Sequence, residues 1–249
     1  MIETHYPHID DLTDHHKEKI AELRHAVAGS LKKYPEYNTE FSLLRWLMGW
    51  DYNIEVILPK IQKAIDILIS LGMGDISMES PSEVNCRIRG LFDGAEYFPG
   101  GLMGQDDEGN VIYMQEITAT HPRSLAKAGS VSELFRLCIM ETEMAFKLVR
   151  HSEAKTGEKL GVKLIVDLDG FNMDLLYTPT LSVYLQLLTQ LQAIFPDFTK
   201  KIYLINCPLM MKTVYAMIQP VLSKQTRDKI CFLGNNWKEE LISNVGNAK

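Results

Sequence analysis

Hydrophobic residues recur every three to four positions through the first third of the chain, which predicts amphipathic helices. The first such run follows Thr13, a favourable N-cap residue, and ends near Pro35, because the residue before a proline avoids the helical region. Two more runs cover residues 39–48 and 53–72. The pattern therefore predicts an N-terminal helical region over residues 1–75.

The rest of the chain alternates between strand-like and helix-like segments. Residues 162–168 are nearly all apolar, which is typical of a parallel strand buried on both faces. A polar turn at residues 107–110 predicts a hairpin around it. The predicted strands are residues 101–106, 111–117, 162–168, 201–206 and 229–233, and the predicted helices are residues 130–154, 181–195, 210–218 and 236–245. This alternation predicts an α/β fold with a mainly parallel sheet flanked by helices.

Residues 73–101 show no regular period and contain two proline-centred turns. We interpret this stretch as the boundary between the helical region and an α/β domain over residues 76–249.

Composition and charge exclude several classes of protein. The net charge of −6 argues against a dedicated nucleic-acid binder. The four cysteines form no CxxC pair, which favours a reduced intracellular protein over a disulfide scaffold or a structural zinc site. The N-terminus has no signal-peptide pattern, and no run of about 18 apolar residues exists. We expect a soluble cytoplasmic protein that meets membranes only peripherally and transiently.

Catalytic motifs are absent from the sequence. It contains no GxSxG, no GxxxxGK[ST] and no HExxH. Asp167 and Asp169 share one side of a predicted strand end, but no partner histidine, lysine or metal motif accompanies them. We interpret Asp167 as a carboxylate that bonds backbone amides at a turn, and we expect no enzyme, no cofactor and no metal site.

An apolar stripe near the C-terminus has two interpretations. Met211, Tyr215 and Ile218 share one face of a predicted helix. Such a stripe is typical of ordinary core packing, but adaptable methionine contacts also suit a lipid-sized ligand.

Several motifs, in order along the chain, resemble those of CRAL-TRIO lipid-binding domains. Residues 195–208, FPDFTKKIYLINCP, and residues 218–230, IQPVLSKQTRDKI, are similar to two blocks of that family. Upstream, residues 43–47, LLRWL, and the hairpin at residues 106–113 are similar to its N-terminal motifs. Residues 233–239, LGNNWKE, are most similar to the supernatant-protein-factor (tocopherol-associated) subgroup. The sequence stops before that subgroup's GOLD domain, so we expect a fragment, an isoform or a differently finished sheet edge.

The resemblance implies that a hydrophobic lipid occupies an internal cavity, that a mobile helix gates this cavity, and that the lipid is transferred between membranes or presented at them. A lipid-sensing adaptor without net transfer is the alternative. The lipid-binding residues implied by position are Tyr113, Val162, Leu164, Val166, Ile202, Leu204, Met211, Tyr215, Ile218, Ile230 and Phe232. The basic side chains that would touch a membrane, or form only a solubilising rim, are Lys200, Lys201, Lys212, Lys224 and Arg227.

The resemblance also bears on a lipid headgroup. Family members that hold phosphatidylinositol carry a basic pair where this chain has Trp50 and Asp51. The acidic and lysine positions of that site persist as Asp197 and Lys229, which are the headgroup candidates.

Two strand positions bear on the cargo. Val162 and Leu164 stand where phosphatidylcholine-binding members carry hydroxyl residues. The resemblance therefore implies a weakly polar cargo, such as a tocopherol-, squalene-, retinoid- or sterol-like lipid, while a phospholipid-like cargo remains open.

Overall fold

Helices dominate the first part of the chain. The computed structural model describes residues 5–77, 80–120, 124, 131–171 and 178–246. Its first helices are α1 (Asp14–Ala26), α2 (Ala28–Lys33), α3 (Glu40–Gly49) and α4 (Ile54–Ser70). The predicted cap of α1 is confirmed, because Thr13 Oγ1 accepts a hydrogen bond from the His16 backbone N–H at 3.2 Å. Pro59 lies inside α4, within the predicted helical run over residues 53–72.

A further helix, α5 (Pro81–Arg89), lies in the stretch that the pattern predicts to be irregular. Its N-terminus is a capping box, in which Ser80 Oγ accepts from the Glu83 N–H and a Glu83 carboxylate oxygen accepts from the Ser80 N–H. Pro81 occupies the first helical turn, where its missing N–H costs nothing. The expectation of irregular structure is therefore wrong for these residues, and the Ser-Pro-x-Glu signal for a helix start was present in the sequence.

A five-stranded sheet forms the centre of the remaining chain. Its strands are β1 (Gly100–Gln105), β2 (Val111–Glu116), β3 (Val162–Asp167), β4 (Thr199–Ile205) and β5 (Ile230–Phe232). They lie side by side in chain order, β1 antiparallel to β2 and every later pair parallel. The accompanying helices are α6 (Val131–Thr156), α7 (Thr178–Ile194), α8 (Met211–Ile218), α9 (Lys224–Arg227) and α10 (Trp237–Val245).

The predicted α/β fold with a mainly parallel sheet is confirmed. Strand bounds agree with the sequence prediction to within two residues at the sheet centre. The predicted start of α6 at residue 130 lies outside the described residues.

Alternation along the strands gives the sheet two different faces. Tyr113 pairs with Leu164, Leu164 with Ile202, and Ile202 with Ile230, so these four side chains share one face. The other face carries a separate buried cluster that includes Ile165 and packs against α10. The first face is therefore the one available to the other helices.

One hydrophobic cluster joins the helical region to the sheet. Leu47 of α3 and Ile61 of α4 belong to the same buried cluster as Val149 of α6 and Phe195 after α7. The helical region thus packs directly on the α/β part, and the division near residue 75 stays a prediction. Among the described residues, no helix has the length and hydropathy that a bilayer span requires.

Candidate functional site

A cavity of about 240 Å³ lies between the first sheet face and the helices that cover it. Its wall is almost entirely apolar. For comparison, an engineered cavity of about 150 Å³ accommodates benzene. The described residues that line it are Phe98, Tyr113, Gln115, Ile117, Cys138, Glu141, Thr142, Ala145, Val162, Leu164, Val166, Phe171, Leu181, Tyr184, Leu185, Leu187, Leu188, Leu191, Phe198, Val214 and Ile218.

Five of the residues that the resemblance implies lie on this wall. Tyr113 comes from β2, Val162, Leu164 and Val166 from β3, and Ile218 from α8. The β3 residues reach the cavity together because alternate side chains of a strand point to the same face.

The other implied positions lie beside the cavity and do not appear on its described wall. Four of them form a hydrophobic cluster under α8, namely Ile202, Leu204, Met211 and Ile230. The two remaining rings, of Tyr215 and Phe232, contact each other edge to face with centroids 5.4 Å apart. The side chain of Phe232 is 48% exposed.

The structure adds a helix face that the sequence argument missed. Leu181, Tyr184, Leu185, Leu188 and Leu191 of α7 line the cavity at positions that helical spacing brings to one side. The same spacing links Val214 of α8 with Ile218. This periodicity was visible in the sequence, but it does not distinguish a cavity wall from ordinary core.

Tyr113 and Glu141 form a polar contact at the mostly apolar wall. Tyr113 Oη donates a hydrogen bond to Glu141 Oε2 at 2.6 Å, and Arg89 Nε lies 3.0 Å from Glu141 Oε1. Burial raises the pKa of Glu141, while Arg89 and Tyr113 act in the opposite direction. Burial also raises the pKa of Tyr113, and the charge of Glu141 adds to that increase, so the phenol stays a donor. Sequence reasoning missed both Arg89 and Glu141.

The two headgroup candidates come together in an ion cluster. Lys229 Nζ donates to Asp197 Oδ1 at 2.6 Å, and Lys159 Nζ donates to Asp197 Oδ2 at 2.6 Å. His5 Nε2 also lies 2.6 Å from Asp197 Oδ1. Although burial alone would raise the pKa of Asp197, Lys159, His5 and Lys229 outweigh it and hold that pKa well below its usual range. Protein groups therefore already surround this carboxylate.

This ion cluster is separate from the cavity wall. None of its four residues is among the described residues that line the cavity. Asp197 adopts a positive φ of 53°, and its carboxylate contacts Lys159 and His5 of the N-terminal segment. The partners His5 and Lys159 carried no motif that sequence reasoning could have used.

Asp167 has the structural role that the sequence indicates. Its Oδ1 accepts hydrogen bonds from the Asp169 backbone N–H at 2.9 Å and from Asn206 Nδ2 at 2.8 Å. Within the described parts of the chain, no three His, Cys, Asp or Glu side chains are grouped as metal ligands.

Comparison with known proteins identifies the family. Residues 95–249 match the CRAL/TRIO domain. The chain belongs to the CRAL/TRIO domain family. CRAL/TRIO domains are known for lipid binding and transfer, and the matched span includes all five strands, the cavity-lining helices and the Asp197 cluster except for His5.

Insect relatives of this CRAL/TRIO chain carry the name Protein real-time. The protein from Aedes aegypti is 25% identical over 219 residues, which cover 88% of this chain and 31% of that protein. The protein from Anopheles gambiae is 22% identical and covers 91% of this chain and 32% of its own length. That from Drosophila pseudoobscura pseudoobscura is also 22% identical, covering 91% and 33%. The chain thus spans about a third of the length of these relatives.

A solved structure shares the fold. The crystal structure of Sfh5 superposes with a TM-score of 0.68 at 12% identity, covering 89% of this chain and 81% of that chain. This similarity extends over both the helical region and the sheet.

Proposed function

We propose that the protein binds a hydrophobic lipid in the cavity and transfers it between membranes or presents it at them. The observation that carries this proposal is the almost uninterrupted apolar wall formed by β3, α6, α7 and α8. Relative to water, burial of each lipid methylene contributes about 0.8 kcal/mol. Burial in the cavity therefore compensates for the contacts that the lipid loses on leaving a bilayer, and transfer needs no covalent chemistry. Known lipid binding by CRAL/TRIO domains supports the same function.

We assign the gate to α8. Val214 and Ile218 of this helix contribute to the cavity wall. The helix has only eight residues, and its N-cap residue, Met210, makes no side-chain capping bond. A short helix without a side-chain cap is held mainly by packing of its apolar face. Displacement of α8 would therefore open the cavity at a modest cost in free energy.

The same helix offers a contact for the membrane. Leu209, just before α8, is fully exposed, and Met217 is 47% exposed. Lys201, Lys224 and Arg227 supply positive charge that would attract anionic lipid. The same attraction is proposed for Lys212 and for Lys200, which pairs with Glu108 at 2.9 Å. We propose a cytoplasmic protein whose contact with membranes is peripheral and transient.

The proposed cargo is a weakly polar lipid. Val162 and Leu164 present no hydroxyl group to the cavity, and Asp197 and Lys229 are paired with each other away from its wall. These features favour a tocopherol-, squalene-, retinoid- or sterol-like cargo over one that needs a charged headgroup site. The relation to the supernatant-protein-factor subgroup, based on residues 233–239, is part of this proposal.

Vesicle transfer tests the proposal. We expect the protein to move fluorescent cholesterol from donor to acceptor phosphatidylcholine vesicles, and Leu164→Trp to abolish this transfer by filling the cavity. The control is Leu91→Trp, which adds the same side chain at a position that is 59% exposed. Transfer that persists in folded Leu164→Trp would contradict the cavity assignment.

The same assay separates transfer from the adaptor alternative. A protein that retains bound lipid but moves none between vesicles would act as a lipid-sensing adaptor. A protein that neither binds nor moves lipid would refute both.

A further inference from the structure

The chain that follows α8 is bonded to the cavity-lining helix α7 by one side chain, Gln192. Its Nε2 atom donates to the Val221 carbonyl at 3.2 Å, and its Oε1 atom accepts from the Ser223 backbone N–H at 3.0 Å. A carboxamide carries both donors and an acceptor, so it can bond two backbone groups of one segment at once. Gln192 therefore fastens the segment after α8 to α7.

The residues bonded to Gln192 lie at a break in the helical structure. The chain stays helical from α8 into the 3₁₀ turn Gln219–Val221, because Gln219 keeps α-helical angles (φ −48°, ψ −41°). Leu222 and Ser223 are extended, with ψ of 137° and 156°, and α9 then begins at Lys224. Hinges are formed by a few residues at the ends of elements that absorb a change in φ and ψ. Leu222 and Ser223 are placed to serve as such a hinge between α8 and α9.

The two sides of this hinge are anchored differently. On the far side, Gln225 Nε2 of α9 donates to the Met48 carbonyl of α3 at 2.8 Å. On the near side, the bond from Gln192 to Val221 is, among the described residues, the one hydrogen bond that joins residues 208–222 to another element. The helix α9 is thus bonded to the helical region, whereas α8 depends on Gln192 and on apolar packing.

Gln192 also adjoins the cavity. Leu188 and Leu191, which precede it on α7, line the cavity wall. Gln192 Nε2 lies 3.2 Å from the Leu188 carbonyl as well, so the backbone of α7 itself orients the carboxamide. A lipid in contact with these leucines would therefore touch the same turn of helix that holds the segment after α8.

We propose that Gln192 is a positioning residue that latches α8 in the closed position, and that its bonds to Val221 and Ser223 break when the cavity opens. The proposal rests on the lipid-transfer function and on the assignment of the gate to α8, and it adds the hinge and the side chain that controls it. Water replaces both hydrogen bonds when the segment moves away, so the latch is reversible.

Substitutions of Gln192 test the latch. Gln192→Ala removes both bonds and preserves α7, because alanine is the most favourable residue in a helix. Gln192→Glu keeps an acceptor for Ser223 but loses the donor to Val221. The control is Gln186→Ala on the same helix, where the lost bond is from Gln186 Nε2 to Ser182 of α7 itself.

Two measurements report the gate and its cargo separately. Hydrogen exchange followed by mass spectrometry, without vesicles, should show amides of α8 and the 3₁₀ turn exchanging about fivefold faster or more in Gln192→Ala, with β3 unchanged. Transfer of fluorescent cholesterol between phosphatidylcholine vesicles should become severalfold faster, because opening no longer breaks the latch. Gln192→Glu should lie between wild type and Gln192→Ala, and Gln186→Ala should match wild type in both measurements.

Each result decides a different statement. Unchanged exchange of α8 in Gln192→Ala, or an equal increase in Gln186→Ala, would overturn the latch. Faster exchange in β3 as well would mean that Gln192 stabilises the whole fold, and would overturn its positioning role. Faster exchange of α8 without faster transfer would overturn its control of the cargo. Wild-type behaviour of Gln192→Glu would overturn the role of the bond to Val221.

Failure of the latch and failure of the proposed function are distinguishable. A wild-type protein that moves no cholesterol and holds no lipid would refute the proposed function. The exchange rates of α8 would still show whether Gln192 holds that helix in place.

Discussion

Asp197 shows how one side chain can connect distant parts of the chain. Its carboxylate contacts Lys159 before β3, Lys229 before β5 and His5 near the N-terminus. Removal of one member of a buried ion cluster leaves the remaining charges uncompensated, which costs more than the cluster itself contributes. These contacts tie three separate segments of the chain to one carboxylate, and a headgroup role for Asp197 and Lys229 stays a prediction.

Asp197→Asn should destabilise the protein by about 3–5 kcal/mol at pH 7. Asparagine tolerates the positive φ of this position, so the effect reports the lost charge. Because the folded-state pKa is lowered, the stabilisation is present above the ordinary aspartate pKa and is lost as the pH falls below it. The difference in unfolding free energy between wild type and variant, measured by urea titration, should shrink between pH 5 and pH 3. The control is Asp10→Asn, whose side chain is 87% exposed. A difference independent of pH would contradict this assignment.

At the scale of elements, the sequence predicted the strands and most helices well. Residues 162–168 could be recognised as a strand, because a nearly all-apolar run of this length is typical of a parallel strand buried on both faces. The polar turn at residues 107–110 specified the hairpin. The helix α5 was missed because its sequence carries a capping signal but no long periodic run of apolar residues. That omission also hid Arg89, the partner of Glu141.

The candidate site was predictable only in part, for a physical reason. Strand alternation assigns Val162, Leu164 and Val166 to one face without ambiguity. Helical spacing cannot say whether a leucine of α7 faces a cavity or a filled core. Nor could it show which of two acids on α6, Glu141 or Glu143, faces the cavity, because that depends on how the whole helix is rotated.

The proposed gate gives a prediction about local stability. We expect backbone amides of α8 to exchange with deuterium faster than those of β3, because α8 is short and β3 is bonded on both sides. Hydrogen exchange followed by mass spectrometry measures both segments in one experiment. Anionic vesicles should increase exchange in α8 and leave β3 unchanged. Equal protection of α8 and β3, with or without vesicles, would argue against the gate.

At the scale of the whole molecule, the helical region and the sheet share a single large hydrophobic cluster. Ion pairs cross the same boundary, including Arg45 of α3 with Glu153 of α6, and Lys147 with Glu36 at 3.0 Å. Packing of this extent favours one cooperative unit, even though the sequence divides near residue 75 into two regions of different pattern.

Thermal unfolding should therefore show one transition. Trp46 and Trp50 lie at α3, whereas Trp237 begins α10. One variant that keeps only Trp46 and Trp50 and another that keeps only Trp237 therefore report the unfolding of each region separately by fluorescence. We expect coincident midpoints from both fluorescence signals and from far-UV circular dichroism. Midpoints that differ by more than the experimental error would indicate two independently unfolding domains.

The most direct test of the central claim is native mass spectrometry of the purified full chain after incubation with lipid vesicles. We predict a complex of one protein with one lipid molecule, strongly reduced in folded Leu164→Trp and retained in Leu91→Trp. A wild-type protein observed only at its lipid-free mass, or a complex equally abundant in Leu164→Trp, would contradict lipid binding in this cavity.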